Sequence, residues 1–395
     1  MREDVVIIGA GQAGAQLALS LRQGGHAGPI KLICDEAHLP YQRPPLSKAF
    51  LAEYRDPSVL HLRPESFWRD KEVAMELGTA VGGVAPQARR VTLADGREIS
   101  YGTLVFATGT CARVLPVPGI GLPGVFSLRK IDDVVLLRPA LNEARRIVIV
   151  GGGYIGLEVA AVLAKEGRNV TVVEAEDRVL KRVTGPATSA FYDAYHRVRG
   201  VDICLGARLA GIEGAARASG VRLANGEHLA ADLVLVATGA HANDELAAAA
   251  GLACQDGILV DEHARTGAPD IYAIGDCARL PSRRYGRRLR LESVQNAIDQ
   301  AKAAAAAILG NAQAYDPVPW FWSDQYEIKL QIAGIADGYD RVEVIGDPAA
   351  ARFSVEYRRD GRLIAVDAIN DARAHMMSRK RIAAETEATA EAARA

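Results

Sequence analysis

The chain has 395 residues, 49% of them apolar and 24% charged, so it is long enough for two or three domains with substantial cores and is not disordered. Lys and Arg number 47 against 48 Asp and Glu, a formal charge of −1, which argues against a protein that works mainly on nucleic acid or an anionic membrane surface. No run approaches the roughly 20 apolar residues of a membrane span, and the opening MREDVVIIGAG enters a strand at once, which predicts a soluble protein with no signal peptide.

In chain order, a β-branched run from Val5 breaks at Gly9-Ala10-Gly11-Gln12-Ala13-Gly14 and continues with an apolar stripe at helical spacing. A second strand, IKLICDE, ends in Asp35, 21 residues after Gly14. In such a unit the first glycine makes the tight turn and the second lets the backbone approach a pyrophosphate. The third allows close helix–strand packing, so that the helix N-terminus faces the phosphates and the acid accepts from a ribose hydroxyl. Tyr101 onward, YGTLVFATG, is a further apolar strand closed by Ala107-Thr108-Gly109.

The same design then recurs. IVIVGGGYIGLEVAAVLAKEG, from Ile147, carries Gly151, Gly153 and Gly156, and NVTVVEAE ends in Glu174, 18 residues after Gly156. ADLVLVATG, from Ala231, repeats the echo and closes at Gly239. The repeat distance is too long for a solenoid and fits two nucleotide-binding domains of related design. Two dinucleotides in one chain point to a flavoenzyme, with FAD held permanently but non-covalently and a nicotinamide that visits it. DIYAIGDCARL, Asp270 to Leu280, delivers Gly275-Asp276 into a turn where the carboxylate can accept from the ribityl chain, which makes the N-terminal copy the FAD site.

The five cysteines, Cys34, Cys111, Cys204, Cys254 and Cys277, are scattered and form neither C-x-x-C nor C-x4-C. A disulfide framework and a metal site are both unsupported, and buried thiols in a reducing cytoplasm are expected.

GAGQAG, GGGYIGLE, the two ATG closures and Gly275-Asp276, in this order, resemble the two-dinucleotide flavoprotein reductases related to glutathione reductase. LPYQRPPLSK (39–48), LESVQNAIDQA (291–301) and PWFWSDQYEIKLQIAG (319–334) narrow the resemblance to putidaredoxin reductase-like ferredoxin reductases, which serve cytochrome P450s and ring-hydroxylating dioxygenases. It covers almost the whole chain and fades after about Lys380. The resemblance implies an α/β fold of two Rossmann-like domains and a small C-terminal α/β domain. FAD would occupy residues 1–111 with 240–316, NADH 112–239, and an interface domain 317–395.

Carried over position by position, it assigns Ala13, Asp35, Arg43, Lys48, Val81, Arg129, Asp276 and Val294 to FAD, beside Gly9, Gly11, Gly14, Ala107, Thr108, Gly109 and Gly275. Gly151, Gly153, Tyr154, Ile155, Gly156, Glu158, Glu174 and Gly239 form the second cofactor set. In the family the Lys48 ammonium lies near the flavin N5 edge and pairs with Glu158, and Trp320 lies beside the isoalloxazine. These three are the expected catalytic residues. Glu174 should favour NADH, because a 2′-phosphate would meet like charge.

The reaction implied is hydride transfer from NADH to FAD, followed by single-electron delivery to a [2Fe-2S] ferredoxin. Disulfide reductases of this superfamily carry C-x4-C beside the flavin, whereas this chain has no cysteine between Cys34 and Cys111. A basic stretch, Arg283, Arg284, Arg287, Arg288 and Arg290, with Arg379, Lys380 and Arg381, would steer an acidic partner. A rubredoxin reductase or NADH oxidase on the same fold is the chief alternative, and a redox-sensing flavoprotein resembling apoptosis-inducing factor is another. Monomer is the default state, and the last stretch, IAAETEATAEAARA, is expected to be a frayed tail.

Overall fold

The structure is a computed structural model that describes residues 4–53 and 55–392, and the side chains of residues 386–392 lie outside the description. The chain divides into two compact units. The first takes residues 1–42, 57–111 and 241–319; the second takes 43–56, 112–240 and 320–395.

The first unit is built on a five-stranded parallel sheet in the order Ile271–Ala273, Thr103–Phe106, Val5–Ile8, Ile30–Ile33, Val73–Glu76. Its central strands are β-branched and buried on both faces, as a parallel sheet covered on each side requires. The helices Gln12–Gln23 and Val294–Ile308 pack against each other, and the alanines of the second permit the close approach. Ala297, Ala301, Ala304 and Ala305 are all in that core. Burying small side chains here costs little rotamer entropy.

The second unit repeats the plan with the order Val201–Cys204, Asn169–Val173, Arg146–Val150, Leu233–Val236, Val125–Ser127, every pairing parallel. Each unit also carries a three-stranded antiparallel sheet, Val81–Ala85 with Arg90–Leu93 and Glu98–Ser100 in one, Leu209–Glu213 with Gly220–Leu223 and His228–Ala230 in the other. The second unit then adds a five-stranded antiparallel sheet, Trp320–Gln325, Ile328–Gly334, Arg362–Ile369, Arg352–Arg359, Arg341–Asp347, with the helix Ala372–Ala392. The expected α/β class, with two Rossmann-like sheets and a small C-terminal α/β element, is therefore observed. Of the C-terminal stretch expected to fray, residues 382–392 belong to this helix and the last three lie outside the described residues.

A buried polar cluster ties this last sheet to the second dinucleotide-binding sheet's own helix. Tyr357 Oη and Thr188 Oγ1 both donate to Asp367 Oδ2, at 2.6 and 2.7 Å, and Gly185 N donates to Tyr357 Oη at 2.9 Å. Among the described residues Asp367 Oδ1 has no partner. Burial pushes the Asp367 carboxyl up to about 6 against those hydrogen bonds. The folded chain therefore binds a proton that the unfolded chain releases near pH 4, and the stability this supplies at low pH is lost as pH rises from about 4 to about 6. Asp367→Asn should remove that slope, so that the stability lost between about pH 4 and 7, read by urea unfolding, shrinks by roughly 1–3 kcal/mol. An unchanged slope would assign it to another group.

Candidate functional site

Two glycine turns carry the site, and the two are alike in detail. Gly9 has φ +111°, and a Cβ there would stand 2.1 Å from the carbonyl oxygen of Ala107. Gly151 has the same φ, and its Cβ would stand 2.4 Å from the oxygen of Ala237. At each turn the strand end that carries the Ala-Thr-Gly echo presses its alanine carbonyl against the first glycine, which leaves no room for a side chain there. The third glycines, Gly14 and Gly156, would each set a Cβ 2.0 Å from the carbonyl oxygen of the first. A side chain at either would push helix from strand.

The middle glycines differ in kind. Gly11 and Gly153 are the N-caps of Gln12–Gln23 and Tyr154–Lys165, neither is capped by a side chain, and a Cβ on either would meet only open space. By contrast Ser293, at the start of Val294–Ile308, accepts from Asn296 N at 3.1 Å. Two helix starts are left with uncapped N–H groups and an unobstructed approach, the arrangement an anionic pyrophosphate completes. The residues present therefore fit two dinucleotides.

In the first unit, Asp35 is exposed just beyond the strand Ile30–Ile33. Gly275 and Asp276 open the short helical turn Gly275–Cys277, where Gly275 has φ +75°. The Gly275 N–H donates to Gln300 Oε1 at 2.8 Å, which fixes this turn to the helix that Val294 begins. A Cβ on Gly275 would lie 3.0 Å from the Ala13 Cβ, so this turn sits against the first glycine turn. Val81 opens its antiparallel strand. Thr108 exchanges hydrogen bonds with Asn243, 2.6 and 2.8 Å long, and so braces the loop around Gly109.

Arg43, Lys48 and Arg129, assigned with FAD from sequence, belong to the second unit. Arg43 Nη1 donates to the Arg129 carbonyl at 2.8 Å. Lys48 Nζ donates to Glu158 Oε2 at 2.6 Å, as the resemblance implied. The sequence reading missed two further donors to this carboxylate. Ser47 Oγ reaches Oε2 at 2.5 Å and Ser323 Oγ reaches Oε1 at 2.6 Å, while Gln325 Nε2 backs Ser323 at 3.2 Å. Glu158 is 4% exposed, and burial still pushes its carboxyl up against the opposing pull of Lys48 and the two hydroxyls. Ser47 had a signal, since it directly precedes Lys48; Ser323 had none, being 165 residues from Glu158.

Tyr154 stacks on Phe321 with ring centroids 4.4 Å apart, and Ile155 is 36% exposed. Trp320 is half-buried between Trp322, His375 and the Arg379 guanidinium, which stands 5.1 Å over its ring. Glu174 Oε2 accepts from Gly152 N at 2.7 Å and Oε1 from Glu176 N at 2.8 Å, so this carboxylate also holds the glycine turn. The Arg182 guanidinium lies over Gly239.

The basic stretch is less available than its sequence suggests. Arg290 is 11% exposed and pairs with Asp256 and Glu292, and Arg288 Nη1 donates to the Val260 carbonyl at 2.7 Å. Arg283 reaches Glu262 at 3.2 Å but keeps 74% of its side chain exposed. None of the five cysteines is in a disulfide. No described helix is long and apolar enough to cross a membrane.

Residues 3–301 match the family described as pyridine nucleotide-disulphide oxidoreductase, and residues 320–395 match the reductase C-terminal family. The chain belongs to the pyridine nucleotide-disulphide oxidoreductase family, whose members and ferredoxin reductase relatives use FAD and NAD(H). Within it the chain is similar to a ferredoxin–NAD(P)+ reductase of Sphingomonas sp., 46% identical over 96% of this chain and 93% of that one. Putidaredoxin reductase of Pseudomonas putida is 42% identical over 93% of this chain and 89% of that one. Among solved structures, the ferredoxin reductase for the CYP199A2 system from Rhodopseudomonas palustris superposes with a TM-score of 0.91 at 44% identity, covering 93% of this chain and 91% of that one. The covalent putidaredoxin reductase–putidaredoxin complex gives 0.93 at 41% identity, over 96% and 93%.

Proposed function

We propose that this chain is an FAD-dependent NADH:ferredoxin oxidoreductase that supplies a [2Fe-2S] ferredoxin, and through it a cytochrome P450 or ring-hydroxylating dioxygenase, in the cytoplasm. The observation that carries the reading is the pair of uncapped glycine turns in a chain whose cysteines form no disulfide. Two dinucleotides are held, and no dithiol stands ready to take their electrons. FAD, when bound, accepts hydride from NADH and releases the two electrons singly.

The protein's share is binding, orientation and charge. In this reading residues 1–111 and 240–316 form the FAD domain, 112–239 the NADH domain and 317–395 the interface domain. The turn at Gly9, Gly11 and Gly14 takes the FAD pyrophosphate, Asp35 the adenosine ribose and Asp276 the ribityl chain. Gly151, Gly153 and Gly156 do the same for NADH, with Glu174 on its ribose. Lys48 would bring positive charge to the bound flavin, held by Glu158, whose carboxylate Ser47 and Ser323 hold in turn. Trp320 forms the aromatic wall at the face where the ferredoxin docks.

Cytochrome c reduction by NADH, measured with and without a two-iron ferredoxin, tests the reading. A rise of at least about 10-fold on adding the ferredoxin supports it, because cytochrome c then reports one-electron relay. Equal rates with and without ferredoxin, stimulation by rubredoxin alone, or a long-lived reduced complex without turnover would each replace it.

A further inference from the structure

Four of the five cysteines are held as thiols by their surroundings. Burial pushes the thiols of Cys34, Cys204 and Cys277 up, and that of Cys254 up to about 11. Cys111 stands in a different environment. It is half-buried, and its Sγ lies 3.0 Å from Nε2 of His241 and 3.8 Å from Nδ1. Cys111 closes one stretch of the first unit and His241 opens the next, so the fold has brought a thiol and an imidazole together across 130 residues of sequence.

A third group completes the cluster. Glu245, in the helix Glu245–Ala249, places Oε1 3.6 Å from the same Nε2. The neighbouring Asp244 is turned elsewhere, its Oδ2 accepting from Gly257 N at 2.7 Å. The ring can take the thiol proton across the short Sγ–Nε2 contact, and the Glu245 carboxylate lies near the same nitrogen. A partly accessible cysteine within hydrogen-bond reach of a base is the arrangement that makes a nucleophile.

We propose that Cys111 is the reactive thiol of this chain, a modification site for hydroperoxides in which His241 serves as base. The Cys111 thiolate attacks one oxygen of hydrogen peroxide, forming an S–O bond as the O–O bond breaks. The departing hydroxide takes the imidazolium proton from His241 and leaves as water. Sulfur loses two electrons and becomes a sulfenic acid, and the peroxide gains the same two. The proposal stands independently of which partner receives electrons from the flavin.

The test uses the whole flavoprotein, labelled with iodoacetamide, or with dimedone after hydrogen peroxide, each cysteine peptide being quantified by mass spectrometry. At about pH 6.5 Cys111 should be labelled at least about 10-fold faster than any other cysteine, because a base stands beside its thiol. His241→Gln should slow Cys111 about 10-fold at that pH, yet leave it within about twofold at pH 10, where a thiol ionises unaided. Cys111→Ser should abolish the dimedone adduct. If His241→Gln does not fold, as judged by circular dichroism and the flavin spectrum, the pH–rate profile of the unaltered protein decides. A rate for Cys111 that levels off below about pH 8 supports the proposal; one that climbs to the ordinary thiol range near 8.5 overturns it. So does equal labelling of all five cysteines, or a loss in His241→Gln that is the same at both pH values.

Discussion

Replacing Lys48 with methionine is expected to slow NADH-driven reduction of the bound flavin by about 100-fold, the scale on which a preorganised charge acts when it faces developing negative charge. The protein should remain folded, for a reason specific to this site. Glu158 is 4% exposed and its carboxyl is already pushed up by burial, so losing the ammonium lets it take a proton rather than stay a lone buried charge. Ser47 and Ser323 still hydrogen-bond the neutral acid. The stability loss should therefore be about 1–2 kcal/mol, below the roughly 3–5 kcal/mol of a stranded buried ion.

Glu158→Gln addresses the same pair from the other side. Lys48 is 19% exposed, so its ammonium can turn to solvent once the carboxylate is gone. The charge is kept but no longer aimed, and a smaller loss of about 10-fold is expected. Because both changes act on one ammonium, the double variant should be no slower than Lys48→Met alone. Anaerobic stopped-flow reduction followed through the flavin absorbance measures all three. Reduction of Lys48→Met at the unaltered rate would mean that the pair is structural.

How much of this was legible follows from the range of each interaction. The two glycine turns were readable because turn, helix start and packing contact lie within six residues, and each of those residues has one physical reason to be glycine. The parallel sheets were readable because strands buried on both faces are continuous β-branched runs such as Val5–Ile8 and Ile147–Val150. The antiparallel sheets around Val84 and Val221 left a weaker trace, short half-exposed strands with no run to mark them. Partners distant in sequence left none. Ser323 meets Glu158, Thr188 meets Asp367 and His241 meets Cys111 only after the chain has folded, and a hydroxyl or an imidazole carries no periodicity that announces its partner. Charge runs were legible in part, since Arg283, Arg287 and Arg288 are exposed. RRYGRRLR reads as a surface patch, yet Arg290 is committed to Asp256 and Glu292.

Glu174→Ala is expected to move the ratio of kcat/KM for NADPH over NADH by roughly 10- to 100-fold toward NADPH, since a charge-assisted hydrogen bond and a like-charge repulsion disappear together. Most of the change should come from weakened NADH. Both carboxylate oxygens already accept backbone N–H groups, Gly152 and Glu176, and an acceptor oxygen has a second lone pair for a ribose hydroxyl. Removing the carboxylate therefore frees the glycine turn as well as removing the acceptor proposed for the ribose. The nearby cations do little to receive a 2′-phosphate. Arg178 is spent on Thr184, Ser189 and Lys181, and Lys181 on Glu176 and Asp177. Gain of NADPH activity should accordingly be small in the single variant, and Glu174→Ala combined with Glu176→Ala and Asp177→Ala, which together release Lys181, should gain more. Steady-state ferricyanide reduction with each coenzyme separates these outcomes. Comparable kcat/KM for NADH and NADPH in the unaltered protein would show that Glu174 holds the turn without selecting the coenzyme.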